Sequence, residues 1–261
     1  MVTNLAYFYE TSKKLRGGKW VWVKDGNGEQ RGNVLLGGTI LNPKKGFDHL
    51  YAAQLVQYKP AEGCYIFRSF KIKTDVSASA TTIVIDADGY SDAPEVGMYL
   101  MVAPDSLKGN TIASTSELTV SNSKVDLSDA TFTDTESDYT GTYTKVTAVV
   151  YDEANQKFTL TVDTALSSSK IDAGTILVEA DCAADLEEDV PTGVCKVLVP
   201  NPNTFIEADR DLLPTEGYGM QNANYSISTV YNKQAWIARM QPLPKYVLAK
   251  NRSYIDGIFW I

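Results

Sequence analysis

The sequence predicts an all-β protein: a central β-barrel or sandwich with a tandem strand–loop–strand repeat, inserted between N- and C-terminal β-rich segments that form a second domain with extended arms. Three observations predict it. Tyrosine is plentiful at 15 residues and Thr and Ser are frequent, a balance that fits pleated strands better than helices. A strand-like motif recurs in the middle of the chain. Charge is sorted along the chain into three blocks. Residues 1–74 hold 12 Lys/Arg against 5 Asp/Glu, residues 75–190 hold 5 against 22, and residues 191–261 hold 7 against 5. The division is therefore 1–74, the N-terminal part of a basic base domain; 75–190, an acidic β-barrel domain; and 191–261, the C-terminal part of the base with its arms. Fields act at the level of patches, so such a chain presents one sign to a partner and the other to solvent.

In the first block, Lys19 to Val23 and Val34 to Leu36 read as strands around the Asp25-Gly26-Asn27-Gly28 turn, whose residues supply the positive φ that tight hairpins need. Gly37-Gly38 and Asn42-Pro43 break the chain. Phe47 to Tyr58 is expected to form one short helix closed by Pro60, and Tyr65 to Ile72 returns to an extended pattern.

The acidic block holds the repeat. Thr82-Ile83-Val84-Ile85-Asp86 resembles Thr159-Leu160-Thr161-Val162-Asp163, 77 residues later. Eleven residues after each aspartate comes a glycine, Gly97 or Gly174, and each glycine opens an apolar run. The expected unit is an alternating strand, a polar loop, and a glycine at the tight entry to a more buried strand. Lys145 to Tyr151 and Lys157 to Val162 form the clearest hairpin, turning through Asp152 to Gln156. Ser114 to Thr142, rich in Ser, Thr and Asp, reads as a long exposed loop or an irregular hairpin. The last block is punctuated by Pro200, Pro202, Pro214, Pro242 and Pro244, so Val197 to Pro202 runs extended. The terminal Ile255 to Ile261 is too apolar for water and is expected to dock as a strand.

Few sequence features point to chemistry. No stretch approaches the ~20 apolar residues of a membrane span, and Met1 to Glu10 lacks the order of a signal peptide. The cysteines Cys64, Cys182 and Cys195 are odd in number, far apart and without a Cys-x-x-Cys, which reads as a chain folded in a reducing cytosol without a disulfide framework; Cys182 with Cys195 is the pairing left open. His49 is the one histidine, so a Ser–His–Asp or Cys–His site would have to use it, against a structural role beside the expected helix. Asp86, Asp88 and Asp92, with Glu95 nearby, are the cation candidates, because crowded hard oxygens hold calcium. An Asp-Gly turn explains them as well, and no metal or cofactor is assigned. Acid pairs suited to glycoside hydrolysis are abundant in the middle block, and nothing singles out two of them. Lys13, Lys14 and Arg16, with Trp20 and Trp22 beyond them, suit phosphates and bases, but the acidic block repels nucleic acid.

The order Lys-Val-Thr-Ala-Val-Val-Tyr, Phe-Thr-Leu-Thr-Val-Asp, Ala-Gly-Thr-Ile-Leu-Val, then Trp236-Ile237-Ala238-Arg239-Met240-Gln241-Pro242-Leu243-Pro244 and a terminal Ile-Phe-Trp-Ile, resembles capsid-associated proteins of tailed bacteriophages (auxiliary, decoration or head-fibre proteins, including those of the crAss-like group). The resemblance covers residues 75–261 in style and order; residues 1–74 do not share it. It implies a non-enzymatic virion structural protein, assembled in the host cytoplasm and bound to the major capsid protein or other virion proteins as a homo-oligomer. On that reading the contact residues are Lys13, Lys14, Arg16, Trp20, Trp22, Trp236, Ile258, Phe259 and Trp260, aromatics for burial and cations for steering. The alternatives are a surface-exposed module binding a glycan or receptor, and a carboxylate-dependent glycoside hydrolase.

Overall fold

The computed structural model describes residues 33–36, 40–44, 48–59, 62–105, 120–121, 124–125, 142–182, 195–206, 210–212, 228–231 and 240–248. The chain is nearly all β, in antiparallel sheets. In order the strands are β1 (Asn33–Leu36), β2 (Asp48–Leu50), β3 (Leu55–Lys59), β4 (Gly63–Ile66), β5 (Ser69–Lys71), β6 (Thr82–Asp86), β7 (Tyr99–Val102), β8 (Val120–Ser121) and β9 (Lys124–Val125). There follow β10 (Tyr143–Asp152), β11 (Lys157–Val162), β12 (Ile176–Cys182), β13 (Cys195–Val197), β14 (Thr204–Ile206), β15 (Arg210–Leu212) and β16 (Ser228–Tyr231). One helical turn stands at 245–248.

Strands of the first and last blocks share a sheet. Its order is β1-β16-β14-β3-β4, so two adjacent strands from the last block lie between strands from the first. A second pairing of the same kind joins β2 to β15. Among the described residues β1 pairs with β16; its expected hairpin partner, 19–23, lies outside them, as does the terminal 255–261. The strand signals of 114–142 survive in a two-residue ladder, β8 with β9.

The helix expected from Phe47 to Tyr58 is replaced by β2, a corner and β3. At the corner Ala53 takes a φ of 65° and the Gln54 N–H donates to the Tyr51 carbonyl (3.0 Å). Ala53 N–H then reaches the Ile206 carbonyl and Ile206 N–H the Gln54 carbonyl, both at 2.8 Å. A strand turns Leu55 and Val56 to opposite faces, and here each face meets its own core. As a strand, β3 buries both completely, and its partners β4 and β14 satisfy its backbone.

The middle block builds the larger sheet, β13-β12-β7-β10-β11-β6, with β5 also paired to β12. The expected hairpin is β10 with β11. Alternation places Ile83, Ile85, Phe158, Leu160 and Val162 in one core with Phe70, Leu100 and Leu177. A register shift between Val146 and Ala148 in β10 turns the strand so that both Val146 and Val149 face that core. The sheet does not close into a barrel. Its ends, β6 and the chain leaving β5, meet at the single Ile72–Ile85 bridge and at a Lys73 N–H to Val84 carbonyl bond of 2.9 Å.

The two copies of the repeat pair with each other. β6 lies against β11 with Ile83 opposite Leu160, and β7 lies against β12 with Met101 opposite Val178. Each of these pairs joins equivalent positions of the two copies, so both ladders are centred on one pseudo-twofold axis. The flanking bonds repeat as well. Gly97 N–H donates to the Val146 carbonyl and Gly174 N–H to the Ile72 carbonyl, each at 2.8 Å. Val146 N–H returns to Met98 and Ile72 N–H to Thr175, each at 2.9 Å. Both glycines hold positive φ, 97° and 90°, at the entry to their buried strands. The repeat therefore begins at β5 and Ile72, on the N-terminal side of the 74/75 charge boundary. A second core, with Phe67, Met101, Val178, Phe205, Met240 and Tyr246, draws on all three blocks and ties them together.

Candidate functional site

Among the described residues a dense polar cluster is buried where the first and middle blocks meet. The chain between β4 and β5 carries Arg68, which is 1% exposed. Its Nε donates to Asp92 Oδ2 (2.9 Å), and one terminal nitrogen donates to Glu179 Oε2 (3.1 Å) and to the Asn42 carbonyl (2.7 Å). Lys44 Nζ reaches the other oxygen of Asp92 at 2.7 Å and the Ala93 carbonyl at 3.0 Å. The Asn42 amide spans Glu179 Oε2 (3.1 Å) and the Ile66 carbonyl (2.8 Å), and its oxygen accepts the Ile66 N–H (2.7 Å). Two cations thus face two carboxylates, so the cluster is neutral and its donors are directed. That is the condition under which buried charge is tolerated. Burial pushes the carboxyl of Glu179 up, against the opposing pull of Arg68 and Asn42; the charge of Asp92 adds to the rise. This cluster is a lock between blocks, and every member has a structural use.

The cation candidates are dispersed by the fold. Asp92 is the acceptor of Arg68 and Lys44. Asp86, at the end of β6, pairs with Lys73 at 3.1 Å. Asp88 accepts the N–H groups of Tyr90 (2.8 Å) and Ser91 (2.9 Å), closing the Asp-Gly turn. Closeness in sequence did not make them converge, because the turn directs each carboxylate to a different neighbour. Among the described residues no group of His, Cys, Asp and Glu is arranged to hold a metal ion. His49 lies in β2, 1% exposed, edge-on to the Tyr51 ring at 4.4 Å between centroids.

A shallow groove of about 120 Å³ opens between the two sheets. Gln57 and Lys59 of β3 and Tyr65 of β4 form one wall; Asp181, Lys196 and the 197–200 segment form the other. Lys59 Nζ stands over the Tyr65 ring, 5.2 Å from its centroid, and is 3.2 Å from Glu62. Asp181 and Lys196 are opposed across the β12–β13 ladder. That ladder also sets Cys182 opposite Cys195, with Cα atoms 4.6 Å apart, and the two are joined as a disulfide. The chain thus carries the one cystine that the sequence left open, although no disulfide framework was expected. The thiols are 13 residues apart in sequence, and only the return of β13 along β12 makes them neighbours.

The contact residues expected from the sequence, Lys13, Lys14, Arg16, Trp20, Trp22, Trp236, Ile258, Phe259 and Trp260, lie outside the described residues. Sequence reasoning missed the lock and the groove. An isolated Arg68 or Glu179 carries no local motif, and their pairing needs β12 beside β5. Compared with known proteins, the chain matches no protein-family model and no curated protein.

Proposed function

We propose that this chain is a non-enzymatic structural protein of a virion, an auxiliary or decoration protein seated on the major capsid shell of a tailed bacteriophage. The observation that carries the reading is the shared sheet β1-β16-β14-β3-β4, in which strands from the first and last blocks pair although the acidic block separates them in sequence. One platform then carries the sequences that flank the acidic lobe. The platform and its aromatic arms grip neighbouring subunits. Apolar burial contributes ~25 cal/mol per Å² before the cost of association. The acidic lobe stands in solvent and repels its like. The buried polar groups support the same reading, since Arg68, Lys44, Asp92 and Glu179 are spent on one another.

The test is co-sedimentation of the purified chain with shells assembled from the major capsid protein encoded in the same genome. Saturable uptake is expected, weakened by salt and lost when Ile258 to Ile261 are deleted or Lys13, Lys14 and Arg16 are changed to glutamate. Unchanged occupancy after the deletion would overturn the role given to the tail, and no uptake by the intact chain would overturn the proposal. The groove beside Tyr65 and Lys59 favours a second reading, a surface module that binds a glycan or other small ligand. Glycan-array binding that disappears in Tyr65→Ala would support that reading.

A further inference from the structure

We propose that Cys182 and Cys195 form a redox-responsive clamp, a covalent modification site that fixes edge strand β13 and one wall of the groove when oxidised and releases them when reduced by a small-molecule thiol. The geometry carries this in four steps. The two residues are direct partners in the β12–β13 ladder, at a Cα separation of 4.6 Å, within the range a disulfide spans. β13 has three residues, and β12 is the only strand it pairs with among the described residues, so little else holds it in the sheet. The bond sits at its first residue. Directly after it come Lys196, Val197, Leu198 and Pro200, which line the groove, and Val197 and Val199, which enter the core shared with Phe205 and Met240. The bond also closes a loop over residues 183–194, whose sequence contains Asp185, Glu187, Glu188 and Asp189 and no Lys or Arg. A cross-link that closes so short a stretch constrains the unfolded chain, so the covalent bond adds stability to what the ladder alone supplies.

The chemistry balances with a low-molecular-weight disulfide of the glutathione type. One thiolate attacks a sulfur of the small disulfide and expels one small thiol. The second cysteine attacks the mixed disulfide and expels the other. The two cysteines lose two electrons and two protons, and one small disulfide becomes two thiols. Cys182 is 6% exposed and Cys195 is fully buried, so exchange proceeds through fraying of β13. Cys64 does not interfere, being buried in a separate core with Ile40, Leu50 and Ile66.

The experiment uses the full chain, equilibrated with oxidised or reduced glutathione, then denatured and labelled with a maleimide for intact mass. Hydrogen exchange on the folded samples reports on 195–200. One labelled thiol is expected after oxidation and three after reduction. Exchange at 195–200 should be at least tenfold slower in the oxidised protein, and Cys182→Ser and Cys195→Ser should show no redox dependence. Three labelled thiols after oxidation, or equal exchange in the two wild-type states, would overturn the clamp. Because wild type is its own control, a variant that fails to fold leaves the decision intact. The readout involves no capsid, so it is independent of the proposed function.

Discussion

Arg68 is the residue on which the junction between blocks depends. Its guanidinium satisfies Asp92, Glu179 and the Asn42 carbonyl at once. Arg68→Met leaves Glu179 with only the Asn42 amide and leaves the cluster one cation short, and urea unfolding should show a loss of about 3–5 kcal/mol, as for other broken buried pairs. Arg68→Lys should recover little, because an ammonium cannot reproduce the planar fork. Glu179 gives a pH test. Its carboxyl binds a proton more tightly in the folded chain than the ordinary value of 4.5 allows. Its contribution to stability is therefore full below pH 4.5 and is lost as pH rises through the folded value. Glu179→Gln resembles the protonated form. Its stability relative to wild type, measured by urea unfolding across pH, should rise as pH increases above 4.5. At this scale the sequence was least legible. Asp92 was grouped with Asp86 and Asp88 by proximity, yet its partners lie 24 and 48 residues earlier in the chain.

At the scale of elements the repeat was legible and a helix was misread. Alternation and the two glycines pointed to two matching units, and the ladders centre on equivalent residues of the two copies. That equivalence makes a prediction. A Cβ at Gly97 or Gly174 would meet nothing within 4 Å, so alanine there costs only the positive-φ conformation. Each of Gly97→Ala and Gly174→Ala should lower stability by about 1–2 kcal/mol, and the two values should agree within experimental error. A large difference would show that the copies are not mechanically equivalent. On the axis, Ile83→Ala and Leu160→Ala remove completely buried side chains and should each cost about 2–5 kcal/mol in the same assay. The copies have diverged where they meet solvent. Asp163 accepts Lys145 N–H (2.8 Å) and the Thr144 hydroxyl (3.1 Å), whereas its counterpart Asp86 pairs with Lys73. The stretch 48–58 was misread because its apolar residues carry no period that separates a short helix from two strands. The choice was made by β14 and β15, which lie about 150 residues further on.

At the scale of the whole molecule, the pairing of first-block with last-block strands in one sheet is a property of the fold, while the three charge blocks could be read from counts of Lys, Arg, Asp and Glu. The finer boundaries could not, because β5 and β13 belong by charge to the flanks and by hydrogen bonding to the larger sheet. The cystine stayed an open pairing for a related reason, since a ladder that closes across 13 residues leaves no spacing signature. The central claim is directional: the shared sheet faces the shell and the acidic lobe faces solvent. Electron cryo-microscopy of decorated shells, assembled from the major capsid protein encoded alongside this chain, tests it most directly. The predicted result is density in which β1, β16, β14, β3 and β4 lie over the capsid surface with the β6–β11 ladder outermost. Density with that ladder wedged between capsid subunits and the shared sheet pointing outward would contradict the account.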